Sequence, residues 1–287
     1  MNMGLFDKFK RKENGPLELN LEGNEILEEN EILEENEASE TKEALEGKEV
    51  LEKNEALEEK VAMEVKSTEK EPDIDDNRKE DTDFELNTSG WDAITKVFEK
   101  IYPGQKDPMH YGTLISWQLG GNDPLDGISI YDGGDYWHFV TYGLSEIYEK
   151  EFEDKEYSGY GMELTLKLKK LNNEKEEAEI KGICGILQSI ARITFTEGEL
   201  FYPNEYIYTG QTMGMDVEQL SKITGFITAE DEQAGSIDTP NGKVTFIELI
   251  GATDKELKMI MGKELKVAEL YSKISDSITD YNRDDCI

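Results

Sequence analysis

The sequence predicts an α/β (α+β) protein, a mixed β-sheet covered by helices and preceded by a disordered acidic segment. Two observations lead to this prediction. No aromatic residue lies between Phe9 and Phe84, whereas all three Trp and all 13 Tyr follow Phe84. Because aromatic side chains contribute the largest buried areas, a core can form only after that point. Beyond it, helix-like and strand-like hydrophobic patterns alternate along the chain.

Three segments follow from this distribution: a short basic and apolar patch (1–14), an acidic low-complexity linker (15–83) and a folded domain (84–287). The linker repeats hexads such as EILEEN at Glu25–Asn30. Leucines six residues apart advance by roughly 240° on a helix, so they form no continuous face and no coiled coil. We expect the linker to be disordered and a protease to trim the chain near Phe84. It is interpreted as a tolerant spacer, with a tether or an arm for a basic partner as the alternative.

The first 14 residues combine three apolar side chains, Leu5, Phe6 and Phe9, with three lysines and one arginine. This combination is found in segments that dock on a membrane surface or on a partner. A disordered terminus is the simpler interpretation. The myristoylation pattern is absent because Gly4 does not occupy position 2.

The net charge of the chain restricts its partners. The sequence has 65 acidic and 31 basic residues, a formal net charge of −34. This charge repels phosphates, so neither nucleic acid nor stable membrane association is expected, and it favours a basic protein partner. There is no apolar run of about 18 residues and no signal-peptide core, which predicts a cytoplasmic protein. Cys184 is expected to be buried and Cys286 loose, with no disulfide framework.

A first helix is predicted between Ser89 and Ile101, where apolar residues recur at helical spacing. Ser89 and Asp92 resemble a capping box, and Pro103 ends the helix. Trp91 is expected on the inner face of this helix and mostly buried.

Four short runs predict strands in the first half of the domain. Leu114–Gln118 and Ile128–Tyr131 are rich in β-branched or aromatic residues. Trp137–Tyr142 is apolar enough for a central strand with both faces covered, which predicts that its tryptophan is mostly buried. Met162–Lys169 alternates apolar and polar residues, which predicts a half-buried strand. The charged run Lys170–Lys181 is predicted to be a surface loop.

The second half of the domain continues the alternation of helices and strands. Thr239–Gly242 is a strong turn sequence, because Pro restricts φ and Asn-Gly tolerates positive φ. Thr253 and Glu256 form a predicted capping box. The other predicted elements are a helix at Ile183–Ile193, strands at Ile223–Thr228 and Val244–Ile250, and a last helix at Leu265–Ile274.

Several blocks of this domain resemble the signature of the suppressor-of-fused (SUFU) domain family. The longest is LGGNDPLDGISIYDGGDYWHFVTYGLSEIYEK at Leu119–Lys150. The others are GWDAI, YGT, SGYGMELTLKL, LQSIAR and IDTPNGKVTFIELIGAT, in the order of the family. Within the motif, the residues interpreted as structural are Trp91, Asp123, Pro124, Asp126, Gly127, Trp137, His138, Tyr142 and Gly143. The resemblance implies an α/β sandwich and a bacterial-type, single-domain member that binds proteins and has no agreed reaction.

Catalytic chemistry has weak support in the sequence. A metal or acid–base site of His110, His138, Asp123 and Asp126 is conceivable, but the spacing matches no ligand pattern such as HExxH. Structural histidines are the better interpretation. Ser145 lacks the GxSxG context of a hydrolase nucleophile, and the glycine-rich turns are acidic and match no phosphate-binding loop. We therefore expect no catalytic residues, no metal site and no cofactor.

Three functions remain open. The resemblance implies a protein-binding module, since bacterial-type members look like immunity proteins that neutralise toxin domains, and the acidic charge suits a basic toxin. The animal family member takes up a short peptide as an added strand, so a regulatory scaffold of that kind is the alternative. A hydrolase-like enzyme with the His/Asp cluster is the third. The candidate partner-binding residues lie on one acidic turn and are Tyr131, Asp132, Asp135 and Tyr136.

Overall fold

The computed structural model describes residues 87–114, 117–274 and 276–287. The predicted segments 1–14 and 15–83 lie outside these residues. The helices are α1 Ser89–Ile101, α2 Glu176–Glu197, α3 Asp254–Met261 and α4 Val267–Tyr271, and a 3₁₀ turn spans Trp117–Leu119. The strands are β1 Met109–Gly112, β2 Gly127–Asp132, β3 Tyr136–Tyr142, β4 Tyr157–Lys169, β5 Tyr206–Tyr208, β6 Ile223–Glu230, β7 Ser236–Thr239 and β8 Gly242–Thr253. None of the helices described is long and apolar enough to cross a membrane.

The strands form one mixed sheet in the order β1-β2-β3-β4-β8-β6-β5. The central pair β4–β8 is parallel, with Leu164 opposite Ile247, and the other pairs are antiparallel. Strands β6 and β7 follow each other along the same side of β8, and β7 pairs with its first residues. The break between them, at 231–235, positions Asp231, a fully buried acidic side chain of the site described below.

Helices cover both faces of the sheet. On one, which we call the α2 face, α2 packs Ile183 and Leu187 against leucines of β4 such as Leu164. On the other, the α1 face, α1 covers β2 and β3 through Phe98. Helices α3 and α4 cover β6 and the end of β8 on the same side, through Leu257 and other apolar residues. Successive side chains of a strand point to opposite faces of the sheet, so the side chains on both faces lie under helices.

The interpretation of β4 as a half-buried strand was wrong. Its four apolar residues, Met162 to Leu168, pack on the α2 face as predicted. Its polar residues Glu163, Thr165 and Lys167 are also buried, with exposed fractions of 0, 0 and 4%. Period-2 alternation shows which side chains share a face, but helices on both sides of the sheet decide that both faces leave water.

Three further sequence predictions differ from the structure. Part of the predicted strand Leu114–Gln118, residues 115–116, lies outside the described residues; Leu114 lies in a bend, Gln118 lies in the 3₁₀ turn, and the edge strand is the shorter β1. Helix α2 begins at Glu176, inside the run predicted to be a loop, because acidic residues in a first helical turn interact favourably with the helix dipole. The last helix is shorter than predicted and consists of α4 alone.

The two predicted capping boxes have opposite outcomes. Helix α1 begins after Thr88, whose side chain makes no capping hydrogen bond, so the predicted box at Ser89 was wrong. At α3 the box is confirmed. The amide of Glu256 donates to Thr253 Oγ1 at 3.3 Å, and the amide of Thr253 donates to the Glu256 carboxylate at 2.9 Å.

The C-terminal segment fills the point where β4 and β8 diverge. The amide of Thr279 donates to the carbonyl of Lys167 at 2.8 Å, and the amide of Gly251 donates to Thr279 Oγ1 at 2.9 Å. A Cβ at Gly251 would lie 2.7 Å from Thr279 Cγ2, so only glycine fits. Cys286 is not loose, since its amide donates to Glu256 Oε1 at 2.8 Å. The carboxyl ends of parallel strands often form a ligand crevice, and here the chain itself fills that position.

Candidate functional site

A network of buried polar side chains lies on the α1 face, beside the apolar clusters under α1 and under α3. We call it the buried network. Its members are His138 of β3, Thr165 and Lys167 of β4, Asp231 after β6 and Glu248 of β8, and each is at most 4% exposed. It therefore connects three adjacent strands to the break between β6 and β7.

Asp231 is at the centre of the buried network. Its backbone amide donates to the carbonyl of Phe246, and its Oδ1 accepts from the amides of Gln233 and Ala234 at 2.8 and 3.0 Å. Its Oδ2 faces His138 Nε2 at 2.9 Å and accepts from Thr165 Oγ1 at 2.9 Å. Burial alone raises the pKa of Asp231, but the hydrogen bond from His138 and the nearby charges hold it well below its usual range. Asp231 is thus a carboxylate.

His138 is held between two partners. Nδ1 lies 2.8 Å from Tyr102 Oη, and Nε2 faces Asp231. Burial lowers the pKa of His138 despite the neighbouring carboxylate, so the imidazole is neutral at pH 7. A neutral ring with its proton on Nε2 donates a hydrogen bond to Asp231 and accepts one from the Tyr102 hydroxyl at Nδ1. Burial also raises the pKa of Tyr102, which stays a neutral donor.

Lys167 and Glu248 complete the buried network. Lys167 Nζ lies 2.7 Å from Glu248 Oε1 and 3.6 Å from Asp231 Oδ2. Ser277 Oγ donates to Glu248 Oε1 at 3.0 Å, whereas Oε2 has no hydrogen-bond partner among the described residues. Burial raises the pKa of Glu248 to about 7. When Glu248 is protonated, the charges of Lys167 and Asp231 balance, which makes the network neutral and suited to holding the strands together.

A second buried carboxylate organises the GLSE part of the motif. Glu163 accepts hydrogen bonds from Thr141 Oγ1 at 2.6 Å and from Ser145 Oγ at 2.7 Å. The amides of Gly143 and Ser145 also donate to it. Burial raises the pKa of Glu163 to about 7 against these hydrogen bonds. Ser145 therefore anchors a turn, in agreement with its lack of a nucleophile context.

The four residues of the predicted His/Asp cluster each have different partners. His110 Nδ1 lies 3.1 Å from Ser129 Oγ, Asp123 pairs with Arg192 at 3.1 Å, and the amide of Asp126 donates to the carbonyl of Tyr142. His138 pairs with Asp231, which sequence reasoning missed. In the part of the chain that the structure describes, no three His, Cys, Asp or Glu residues are arranged to hold a metal. The signal that could have indicated Asp231 is the polar DEQAG interruption between two strand-like runs.

The motif residues predicted to be structural have direct packing contacts. Trp91 stacks on Tyr142 with ring centroids 4.1 Å apart. Gly127 leaves room for the His110 ring, which a Cβ would approach to 2.6 Å. Gly143 has a φ of +132°, which L side chains rarely adopt. Trp91 and Trp137 are both partly buried, with only the smaller part of each side chain exposed, which agrees with the prediction that they are mostly buried.

The candidate partner-binding turn between β2 and β3 is only partly exposed. Tyr131 is 1% exposed and stacks between Phe98 and Tyr102, so it cannot anchor a partner. The side chain of Tyr131 lies on the face of β2 that α1 covers. Strand alternation alone could not show that this face is buried. Tyr136 is half-buried. Asp132 and Asp135 are exposed, and Asp132 pairs with Lys170, which lowers the pKa of the carboxyl.

A cavity of about 430 Å³ lies beside this turn. It is lined by the α1–β1 connection from Gly104 to Met109, and by Ile130, Asp132 and Trp137. Gln105 fixes the connection to β2 by bonding both the amide and the carbonyl of Asp132. Lys170 lies 4.0 Å above the Trp137 ring. We call β1, this cavity and the Asp132–Asp135 turn the β1 surface.

Strand β1 forms one edge of the sheet. It pairs with β2 on one side, and no second strand pairs with it among the described residues. The amide of Thr113 donates to the carbonyl of Asp126, and antiparallel hydrogen bonds alternate along a strand. The amides of His110 and Gly112 therefore point away from β2, towards the open edge.

Comparison with known proteins identifies the fold and the family. Two solved structures are similar: a chain of the Sufu–Fu complex (27% identity, TM-score 0.60, 70% of this chain and 93% of that chain covered) and Drosophila Suppressor of Fused (28%, 0.59, 70% and 52%). These similarities confirm the predicted mixed sheet with covering helices.

The sequence comparisons agree. The Suppressor of fused homologs of Homo sapiens and Mus musculus are each 29% identical over 181 residues, covering 58% of this chain and 36% of theirs. The chain thus spans about a third of the length of these curated relatives. The family model described as Suppressor of fused protein (SUFU) matches residues 121–284, more than half of the chain. The chain belongs to the suppressor of fused family, as the resemblance of its motifs predicted.

Proposed function

We propose that this protein is a non-enzymatic protein-binding module whose contact region is the β1 surface. The open edge of β1 beside a cavity is the observation that carries the proposal, because an unpaired edge is a ready template for another chain. Groups with catalytic potential, such as His138 and Asp231, are instead completely buried. The solved complex of a relative, Sufu, with Fu supports protein binding as the activity.

The proposed partner is a basic protein domain, and the proposed role is that of an immunity-type protein that neutralises a toxin. The formal net charge of −34 supports this choice. Exposed carboxylates on the β1 surface, those of Asp107, Asp132 and Asp135, provide a local attraction for cations. Such charges accelerate the encounter with a basic partner more than they slow its release.

A test begins with the genes beside this one. A neighbouring basic toxin domain is expressed with and without the full chain, and growth rescue together with direct binding is the expected result. Association is then measured across a salt series for wild type and for Asp132→Asn/Asp135→Asn. We expect the double variant to associate more slowly and with a smaller salt dependence.

The matched control is Asp238→Asn/Glu264→Gln, which removes the same charge from β7 and from the residues after α3. Equal association rates for the two double variants would exclude the acidic turn from the interface. A toxin that is neither bound nor neutralised would exclude the immunity role.

Strand addition at β1 is the second candidate mode of binding, and the outward amides of His110 and Gly112 favour it. Gly112→Pro removes an outward N–H, whereas Gly112→Ala retains it. A Cβ at Gly112 has no neighbour closer than 3.9 Å, so alanine fits as the control. If a partner pairs with this edge, the proline variant loses affinity at least tenfold and the alanine variant does not. Equal loss in both variants, or in neither, contradicts strand addition.

A further inference from the structure

A second surface lies on the opposite layer of the domain, between α2 and the loop that precedes β6. The loop and the helix enclose a cavity of about 250 Å³. Ile186 and Ile190 of α2, Met215 and Val217 of the loop, and Phe226 of β6 line it. We call this cavity and the loop 213–220 the α2 groove.

The rim of the α2 groove is unusually apolar for a solvent-exposed loop. Met213, Val217 and Leu220 are 53, 45 and 79% exposed, and they lie within eight residues of one another. Contiguous exposed apolar side chains beside a cavity are typical of a docking site, whereas isolated ones carry no such meaning.

Internal hydrogen bonds hold the loop in place. Asp216 accepts from the amides of Leu220 and Ser221 at 3.1 and 2.7 Å. The amide of Val217 donates to the carboxylate of Glu179 on α2 at 3.1 Å. The groove is thus a preformed surface, and a ligand does not have to order the loop on binding.

Negative charge surrounds the apolar lining. Asp216 lines the cavity, and Glu179 of α2 accepts from the amide of Val217, which lies between Asp216 and Glu218 in the chain. Burial, and after it the charges of Asp216 and Glu218, raise the pKa of Glu179. Lys175 pairs with Glu218 and offsets part of this charge. The groove therefore suits an occupant that combines apolar and cationic side chains.

The chain contains one such segment. Residues 1–14 have four basic and two acidic side chains, and 4 − 2 gives a net charge of +2. They also contain Leu5, Phe6 and Phe9. The leucines of the linker 15–83 are flanked by glutamates instead, as in EILEEN, and the acidic rim repels them.

We propose that the segment Leu5–Lys12 of the same chain docks in the α2 groove, with its apolar side chains on the lining and its basic ones at the acidic rim. The 74 residues between Lys12 and Asn87, the first described residue, form the tether. A flexible chain of that length has an r.m.s. span of roughly 45–50 Å, comparable to the diameter of a domain of this size. Intramolecular tethering makes even a weak contact populated, since the effective concentration reaches about the millimolar range. The segment is then a built-in competitor for any other ligand of the groove.

Methionine methyl groups report this contact in the full chain. We would label the methionine methyls with ¹³C, assign Met213 and Met215 by Met→Leu substitution, and compare wild type with Phe6→Ala/Phe9→Ala. The two signals are expected to move in this variant, because the phenyl rings leave the groove, and to return when a peptide of residues 1–14 is added. Leu27→Ala/Leu33→Ala in the linker is the matched control and is expected to leave both signals in place. High salt is expected to move the wild-type signals towards those of the variant.

Three outcomes overturn the proposal. Unchanged Met213 and Met215 signals in Phe6→Ala/Phe9→Ala show that the segment does not occupy the groove. Signals that depend on protein concentration in the wild type identify a second copy as the occupant. In the third outcome, the Met213 and Met215 signals of the free wild-type protein already match those of Phe6→Ala/Phe9→Ala, and the segment binds phosphatidylserine vesicles. The target of the segment is then a membrane surface.

Discussion

The two faces of strand β4 are both buried, but by different means. On the α2 face, leucines of β4 pack against the apolar side of α2. On the α1 face, the same strand presents Thr165 and Lys167, and burial depends on reciprocal hydrogen bonds with Asp231 and Glu248. Apolar packing tolerates substitutions of similar volume, whereas a buried polar network requires each partner. Around β4, burial on the α1 face therefore depends on specific residue identities, and burial on the α2 face mainly on volume.

The largest expected effect is on the α1 face. Asp231→Ala leaves His138 and Thr165 without their shared acceptor and removes the opposite charge 3.6 Å from Lys167, and we expect a loss of about 3–5 kcal/mol in the free energy of unfolding. Urea denaturation at pH 7 measures it. Asp231→Asn keeps the volume and loses less. A loss below about 1 kcal/mol for Asp231→Ala would show that the two faces do not differ in this way.

The pH dependence of stability sharpens the comparison. The folded pKa of Glu163 is about 7, above its ordinary value of 4.5, so the folded state binds this proton more tightly. The contribution of Glu163 to the free energy of unfolding is complete below about pH 4.5 and is lost as the pH rises through 7. It amounts to at most about 3 kcal/mol. Glu248 acts in the same direction, and His138, whose pKa burial lowers, acts in the opposite one.

The difference in unfolding free energy between wild type and Glu163→Gln isolates Glu163, since the other groups are common to both proteins. We expect the wild type to lose stability relative to the variant between pH 5 and pH 7. Parallel curves over that range would mean that Glu163 titrates normally.

The two partly buried tryptophans provide one probe on each face. Trp91 stacks on Tyr142 on the α1 face, and Trp137 packs at the margin of the α2 face below Lys170. Because both are partly exposed, we expect Trp→Ala to cost about 2 kcal/mol at each site, less than the 3–5 kcal/mol of a fully buried tryptophan. Thermal or urea unfolding measures both. A cost above about 4 kcal/mol at either site contradicts the partial burial.

The smallest effect is expected at the exposed turn. Asp132→Asn/Asp135→Asn is expected to change the unfolding free energy by no more than about 0.5 kcal/mol, because exposed ion pairs contribute little. Urea unfolding of the same double variant that is used for binding checks this. A larger loss would mean that any change in binding reflects the fold and not the loss of a contact.

Local sequence patterns predicted most elements, with limits at particular residues. The helical spacing from Trp91 to Ile101 and the alternation from Met162 to Lys169 both correspond to observed elements. The four residues of β1 are too few for a periodic signal. The predicted His110/His138 cluster does not form. The spacing of residues along the chain does not indicate which loop packs over a given strand. Asp231 is 93 residues from His138 along the chain, so only the sheet order brings them together.

The sequence by itself determined which side chains of β4 share a face, where the aromatic core can begin, and which family the chain belongs to. Those properties are local, since they depend on residue spacing and on motif residues that lie close together in the chain. Only the tertiary structure decided that the polar side of β4 is buried, that Asp231 completes the network, and that Tyr131 lies inside while Asp132 lies outside. Burial is a property of what packs against a face, and helices distant in sequence provide that cover.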